Sequence, residues 1–127
     1  MASGQHTLKF LHISDLHVKG PREKEPWRRR RVLGTAWQRN LETLLNEEGE
    51  IDFVFFTGDA AQSGRPDEFD EAAAFLTNLC SDLTLKHDRL FVIPGNHDID
   101  RSIEPQLGRK CACLLRLRAI FSRSAGG

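Results

Sequence analysis

Short apolar runs divide the chain into predicted strands. Residues 8–13, 51–56 and 90–93 are rich in Ile, Leu, Val and Phe, and each run is followed by polar residues, Gly or Pro. Runs this short, bounded in this way and rich in β-branched and aromatic residues, are typical of buried strands. The pattern therefore predicts a strand in each of these three segments.

Apolar residues recur at helical spacing in both segments between the predicted strands, which predicts a helix in each. Pro66, Asp67 and Glu68 favour the start of the second helix, because Pro suits the first turn and carboxylates suit the positive end of the helix dipole. The alternation of strands and helices predicts an α/β fold with a parallel sheet and right-handed crossovers. The apolar helical positions are Leu33, Trp37, Leu41, Leu44 and Leu45 in the first gap, and Phe69, Ala72, Ala73, Leu76, Leu79 and Leu83 in the second.

Two segments carry local excesses of charge. Residues 19–31 are predicted as a charged loop that contains four consecutive arginines at 28–31. A solvated helix start is the favoured interpretation, and the alternative is that these arginines, beside Trp27, bind phosphates of a nucleic-acid backbone. Residues 105–127 contain five basic residues and no acidic residue. A basic amphipathic helix is predicted around residues 107–121, and the alternative is that the segment marks the loss of the native continuation.

Composition excludes several classes of protein. The chain has 18 Lys and Arg against 18 Asp and Glu, so its net charge provides no bulk attraction to nucleic acid or to an anionic membrane. No apolar run approaches the roughly 20 residues of a membrane-spanning helix. The polar N-terminus lacks the apolar region of a secretory signal, so we expect a cytoplasmic location. The cysteines, Cys80, Cys111 and Cys113, lack zinc-ribbon spacing and are expected to be reduced.

Polar side chains with metal-ligand chemistry follow each predicted strand. Asp15 and His17 follow the first strand, Asp59 follows the second, and Asn96 follows the third. Because ligands of open parallel sheets bind at the carboxyl ends of the strands, we expect these residues to lie close together. Asp15 and His17 offer an oxygen and an imidazole nitrogen to a divalent cation, as mixed-ligand sites do. The carboxylate of Asp59 could bridge two cations, and Asn96 offers a neutral carbonyl oxygen.

Glycines at the same loops fit close approach of the backbone to bound ions. Gly58 precedes Asp59, and Gly95 precedes Asn96. Glycine permits sharp turns and leaves room where a side chain would obstruct.

The ligand types fit a site for two metal ions. Two ions about 3.5–4 Å apart clamp a phosphoryl group and convert a bound water to hydroxide near neutral pH. Each motif alone is common, but their order after successive strands is specific.

These blocks together resemble the calcineurin-like metallophosphoesterase superfamily. The chain has Asp-x-His at 15–17, Gly-Asp at 58–59 and Gly-Asn-His-Asp at 95–98, and the resemblance covers residues 8–101. It implies that residues 7–101 form the first βαβαβ half of a four-layer α/β/β/α sandwich that is truncated here. Residues 102–127 are then a basic tail. The implied cofactors are two divalent metal ions, namely manganese, iron or zinc.

The same resemblance implies roles for individual residues. Asp15 and His17 are expected to bind the first metal, Asp59 to bridge both metals, and Asn96 to bind the second. His97 is expected to stabilise or protonate the leaving oxygen without binding a metal. The neighbouring carboxylate, Asp98, is expected to orient and polarise that imidazole, as carboxylates commonly do.

The form of the blocks narrows the expected branch of the superfamily. Protein Ser/Thr phosphatases usually show G-D-x-x-D-R-G and G-N-H-E, whereas here the second block runs G-D-A-A-Q-S-G and the third ends in Asp98. The stretch 58–69 is most similar to the cyclic-nucleotide phosphodiesterase branch, and the DNA-repair exonuclease branch is the runner-up. We therefore expect a phosphoester substrate such as a nucleotide and no membrane partner. Nucleic acid is not favoured, and the oligomeric state is left open.

One departure from the family pattern limits the expected activity. Family members add a histidine after the third block and a final G-H-x-H, whereas this chain has no histidine after His97. We expect a phosphoesterase chain truncated or frame-shifted near residue 102, with an incomplete metal site and an exposed apolar sheet face. The alternative is a non-catalytic half-domain that binds a metal ion or a phosphorylated ligand, or that pairs with another chain. The remaining histidines, expected to be structural, are His6, His12 and His87.

Overall fold

A three-stranded parallel sheet organises the protein, as the alternating pattern predicts. The computed structural model describes residues 4–5 and 7–99, so the predicted tail at 102–127, His6, Cys111 and Cys113 lie outside the described residues. The strands lie in the order β1-β2-β3 and pair in parallel throughout. The strands are β1 (Phe10–Ile13), β2 (Phe53–Thr57) and β3 (Leu90–Ile93), and the helices are α1 (Pro26–Arg31), α2 (Trp37–Glu48) and α3 (Pro66–Asp82).

Side chains of the central strand, β2, alternate between a buried face and a partly exposed face of the sheet. Val54 and Phe56 are fully buried, whereas Phe53 and Phe55, which alternate with them, are partly exposed. On the buried face, Val54 shares a cluster with Leu41 of α2 and Leu79 of α3. Full burial of an aliphatic or aromatic side chain of this size contributes roughly 1.5–3 kcal/mol. Both helices therefore hold the sheet from the same side.

The opposite face of the sheet is aromatic and largely exposed. Phe10 is 62% exposed, Ile93 58% and Phe91 45%. The ring of Phe55 packs edge-on against Phe10, with centroids 5.3 Å apart, and stacks on Phe91 at 5.4 Å. Large apolar patches of this kind are unusual on an isolated domain surface. This exposure matches the expected uncovered apolar face.

The start of α3 agrees with its sequence signals. Pro66 is the first helical residue, and Asp67 and Glu68 lie in the first turn. Glu68 is fully buried, and its Oε1 accepts hydrogen bonds from the backbone nitrogens of Ser63 at 2.7 Å and Arg65 at 3.3 Å. One carboxylate therefore caps the helix and also fixes the loop before it.

The second half of the predicted charged loop is helical, which agrees with the favoured interpretation of this segment as the start of a helix. Residues 19–31 contain a 3-10 turn at Gly20–Arg22 and then α1, which begins at Pro26. A proline fits the first position of a helix because its fixed φ matches the helix and its missing N–H has no partner to lose there. A π-helical turn at Val32–Ala36, broken at Gly34 (φ −93°, ψ −112°), then leads into α2. None of the helices described is long and apolar enough to cross a membrane.

Candidate metal centre

The loops that follow β1 and β2 lie side by side at the carboxyl edge of the sheet. The backbone nitrogen of Asp15 donates to the carbonyl of Gly58 at 3.0 Å, and that of His17 donates to the carbonyl of Asp59 at 2.9 Å. Asp15, His17 and Asp59 all have positive φ, at 61°, 46° and 56°. Non-glycine residues rarely adopt this conformation, and such strain clusters at functional sites. The strand-edge placement expected from the topology is therefore realised.

His17, Asp59 and His97 form a group that could hold a metal ion. Each offers one ligand atom, and these atoms all lie within 4.8 Å of one another. The rings of His17 and His97 are nearly perpendicular, with centroids 4.8 Å apart. The group includes His97, for which the sequence predicts a role other than metal binding. That role stays a prediction.

The donor atoms around His17 fit a divalent ion. Its Nε2 lies 3.3 Å from Oδ1 of Asp15 and 3.8 Å from Oδ2 of Asp59. Two ligand atoms each bound about 2.1 Å from one ion are separated by about 3.0–3.4 Å, so the 3.3 Å separation already matches, whereas the 3.8 Å separation would have to shorten when an ion binds. The other ring nitrogen of His17, Nδ1, is buried and has no hydrogen-bond partner among the described residues. Mixed imidazole and carboxylate donors suit zinc, manganese and iron.

The carboxylate of Asp15 is poised to remain ionised. Its pKa is held below the usual range chiefly by a hydrogen bond with the side chain of Ser14, with a further contribution from His17. An ionised carboxylate is the form that binds a metal. The side chain of Asp15 is 60% exposed, whereas that of Asp59 is 15% exposed.

The third loop joins the site through backbone and side-chain hydrogen bonds. The backbone nitrogen of His97 donates to Oδ1 of Asp59 at 3.0 Å. Asp98, only 2% exposed, accepts hydrogen bonds from the backbone nitrogens of Ala61 and Gly95, both at 2.8 Å. Asp98 therefore fastens the loop after β3 to the loop after β2. Its predicted action on the imidazole of His97 stays a prediction.

The imidazole of His97 is oriented by a backbone carbonyl. Its Nδ1 lies 2.9 Å from the carbonyl oxygen of Gln62, so a proton on Nδ1 donates to that oxygen. In the neutral ring this arrangement leaves Nε2 as the acceptor nitrogen. Sequence reasoning missed Gln62, because a backbone carbonyl carries no signature in the side-chain sequence.

The other predicted site residue and the remaining histidines occupy distinct places. Asn96, the predicted ligand of a second metal, is exposed and begins the 3-10 turn at Asn96–Asp98. His12 lies on β1, where its Nε2 is 2.7 Å from Oγ1 of Thr57. His87 lies in a 3-10 turn before β3. Neither histidine belongs to the group that could hold a metal among the described residues.

The chain is similar in sequence to known proteins of one family. The family model described as calcineurin-like phosphoesterase matches residues 8–123. Over 97 residues, the chain is 30% identical to the "Uncharacterized metallophosphoesterase-like protein YydB" of Bacillus subtilis (strain 168). The matched region covers 76% of this chain but 18% of that protein. The chain thus spans under a fifth of the length of this curated relative.

Proposed function

Because the chain belongs to the calcineurin-like phosphoesterase family, we propose that it takes part in metal-dependent hydrolysis of phosphoesters. The observation that carries this proposal is the convergence of Asp15, His17 and Asp59 at the carboxyl edge of the sheet, where Nε2 of His17 lies 3.3 Å from Oδ1 of Asp15 and 3.8 Å from Oδ2 of Asp59. Carboxylate and imidazole groups converging on one point are the ligands that hydrolytic metal centres use.

Four residues are proposed as ligands of two divalent ions, with manganese, iron or zinc as the candidates. Asp15 and His17 hold the first ion, Asn96 holds the second, and Asp59 bridges both. Bound metals supply Lewis acidity and lower the pKa of a coordinated water. The backbone nitrogen of His97 donates a hydrogen bond to Oδ1 of Asp59. This bond limits rotation of the Asp59 carboxylate.

His97 is proposed as the general acid. In this step His97 starts as the imidazolium, protonated on both ring nitrogens. As an oxygen from water bonds to phosphorus and the ester P–O bond breaks, the departing oxygen takes the proton from Nε2, and the neutral ring keeps its Nδ1 proton, which is donated to the carbonyl oxygen of Gln62 at 2.9 Å. Asp98 supports this step by fixing the loop that carries His97. The ring centroids of His17 and His97 are 4.8 Å apart, so the proposed acid lies beside a proposed ligand.

The proposed substrate is a phosphodiester such as a cyclic nucleotide, as expected from the form of the second and third blocks. Hydrolysis of a nucleic-acid end, as in the exonuclease branch, is the alternative substrate class. The proposed location is the cytoplasm.

A second candidate function is metal or phosphate binding without catalysis by this chain. The observation that favours it is the exposure of the outer ligands, because Asn96 is exposed and the side chain of Asp15 is 60% exposed. Water competes with an ion for ligands this exposed, which weakens binding. Weak binding of either ion would leave the chain able to bind metal but slow to hydrolyse an ester.

Metal analysis and hydrolysis assays distinguish the two functions. The purified chain is loaded with Mn²⁺, its metal content is measured, and its rate with an aryl phosphodiester is recorded with and without a chelator. Hydrolysis that the chelator abolishes, and that Asp59→Asn also abolishes, supports the phosphoesterase. Bound metal without hydrolysis supports the second candidate. A rate that the chelator leaves unchanged contradicts the proposed function.

A further inference from the structure

Arg29 of α1 contacts the backbone of the loop that carries Asp15 and His17. Its Nη1 donates to the carbonyl of His17 at 3.1 Å, and its Nη2 donates to the carbonyl of Leu16. The side chain is 20% exposed, and the carboxylate of Glu23 lies 3.7 Å from Nη1. The guanidinium is therefore committed to this loop, which leaves it unsuited to the phosphate-binding role considered for the arginine run.

The loop needs donors on this side because its amide groups point the other way. The carbonyls of Leu16 and His17 share peptide planes with the backbone nitrogens of His17 and Val18, and these nitrogens donate to the carbonyls of Asp59 at 2.9 Å and Ala60 at 3.0 Å in the loop after β2. The carbonyls of Leu16 and His17 consequently face α1, where a buried carbonyl without a donor would be costly. Positive φ values at Asp15 (61°) and His17 (46°) add strain that the surroundings must offset.

We propose that Arg29 is a positioning residue of the metal centre. By bonding two successive carbonyls, the guanidinium fixes the peptide planes on either side of the Cα atom of His17, and so fixes the direction of the Cα–Cβ bond from which the imidazole extends. This inference rests on the proposed function, because it assigns Arg29 to the metal site proposed there. Arg29 touches neither the ion nor the substrate and acts through the loop.

Arginine suits this task better than lysine. Its planar guanidinium presents several donors in a rigid fork, so it can bond two carbonyls at once, whereas the ammonium of lysine is a compact point charge on a flexible stem. Arg29→Lys thus retains the charge but loses the two-carbonyl geometry. Arg30, the next residue of α1, is exposed and provides a matched removal of charge.

Metal titration of three variants tests the inference without relying on activity. Binding of Mn²⁺ is followed by electron paramagnetic resonance, and binding of Co²⁺ by its visible spectrum, in the wild-type chain, Arg29→Ala, Arg29→Lys and Arg30→Ala. Residues that orient metal ligands typically contribute about 10- to 100-fold in metal affinity. We expect a weakening of that size for Arg29→Ala with a changed Co²⁺ spectrum, a smaller weakening for Arg29→Lys, and wild-type behaviour for Arg30→Ala.

Chemical rescue separates positioning from a general loss of stability. Added ethylguanidinium should restore part of the Mn²⁺ affinity of Arg29→Ala and should not alter that of Arg30→Ala. If Arg29→Ala fails to fold by circular dichroism, the Arg29→Lys spectrum and affinity decide the matter. Wild-type affinity and an unchanged Co²⁺ spectrum in the folded Arg29 variants would overturn the inference alone. A wild-type chain that binds neither ion would overturn the proposed function and this inference together.

Discussion

The carboxylate of Asp59 lies directly against the backbone of Gly95. A Cβ atom at position 95 would overlap Oδ1 of Asp59 and come within 2.6 Å of its backbone nitrogen. Gly95 has φ −99° and ψ −175°, an extended conformation open to any residue. Glycine is therefore required at this position for space and not for backbone freedom. The close approach expected at Gly95 occurs against the side chain of a predicted metal ligand.

Gly95→Ala should weaken metal binding by displacing Asp59. The new methyl group can be accommodated only if the carboxylate or the loop after β3 moves, because contacts under 3.0 Å are not tolerated. We expect a loss of about 10-fold or more in Mn²⁺ affinity, as for other residues that orient ligands. The control is Gly4→Ala, where a Cβ meets nothing within 4 Å. Equal affinities in the two variants would contradict the steric explanation.

Asp59→Asn should be the most damaging single change among the proposed ligands. It removes the negative charge from the least exposed carboxylate of the group, at 15% side-chain exposure, while keeping its size and its hydrogen bond from His97. We expect both ions to be lost and turnover to fall by at least ~100-fold. Inductively coupled plasma analysis and a rate assay test this result. Near-normal turnover in this variant would exclude the bridging role.

His97→Ala should slow hydrolysis most for substrates with basic leaving groups. A general acid contributes typically 10²- to 10⁴-fold when the departing oxygen needs a proton, and little when it does not. The slope of log rate against leaving-group pKa should steepen, while the metal content changes little. His17→Ala, at the facing ring, is the contrast and should lose metal. If His97→Ala also lost its metal, the ring would be a ligand.

Glu68→Gln should destabilise the fold by about 1–3 kcal/mol. Glu68 is fully buried and accepts hydrogen bonds from the backbone of Ser63 and Arg65, and its Oε2 lies 2.9 Å from Nη2 of Arg22. A neutral amide cannot accept all these bonds and leaves part of the network unpaired. Urea denaturation measures the change in the free energy of unfolding.

The matched control for Glu68→Gln is Asp67→Asn. Asp67 also pairs with Arg22, at 2.8 Å, but its side chain is 43% exposed, so solvent screens the pair. The pKa of Asp67 lies below its usual range, chiefly because of the hydrogen bond from Arg22. The contribution of the Asp67–Arg22 pair to the free energy of unfolding should be present above about pH 4, and it should be lost as the pH falls through the lowered pKa of Asp67. An Asp67→Asn effect as large as that of Glu68→Gln would contradict the importance assigned to burial.

Local patterns in the sequence predict the parallel sheet and the site loops, because those features depend on periodicity and on side-chain chemistry. The start of α3 at Pro66 is confirmed for the same reason. The sequence does not reveal contacts that use backbone groups, so the orientation of His97 by Gln62 is absent from the predictions. The role inferred for Arg29 is hidden likewise, since a run of arginines usually marks a solvated face.

Cys80 should make the fold sensitive to alkaline pH. Its thiol is fully buried in α3, and burial raises its pKa. The folded state therefore keeps a proton that the unfolded state releases above about pH 8.5, so stability falls as the pH rises from there through the folded pKa. The slope is at most about 1.4 kcal/mol per pH unit. The chain contains no tyrosine, which removes one competing alkaline titration.

The test of Cys80 uses a background in which the other two cysteines are replaced, as Cys111→Ser and Cys113→Ser, so that a single thiol remains. The free energy of unfolding is measured in urea between pH 7 and about 9.5, below the usual pKa of lysine. Adding Cys80→Ala should lower stability at neutral pH through lost packing and should flatten the alkaline slope. Because the protonated, buried thiol is a poor nucleophile, Cys80 should also react slowly with a disulfide reagent until the chain unfolds. Rapid labelling under native conditions, or an alkaline slope that Cys80→Ala leaves unchanged, would show that α3 opens at this position or that another group controls the pH dependence.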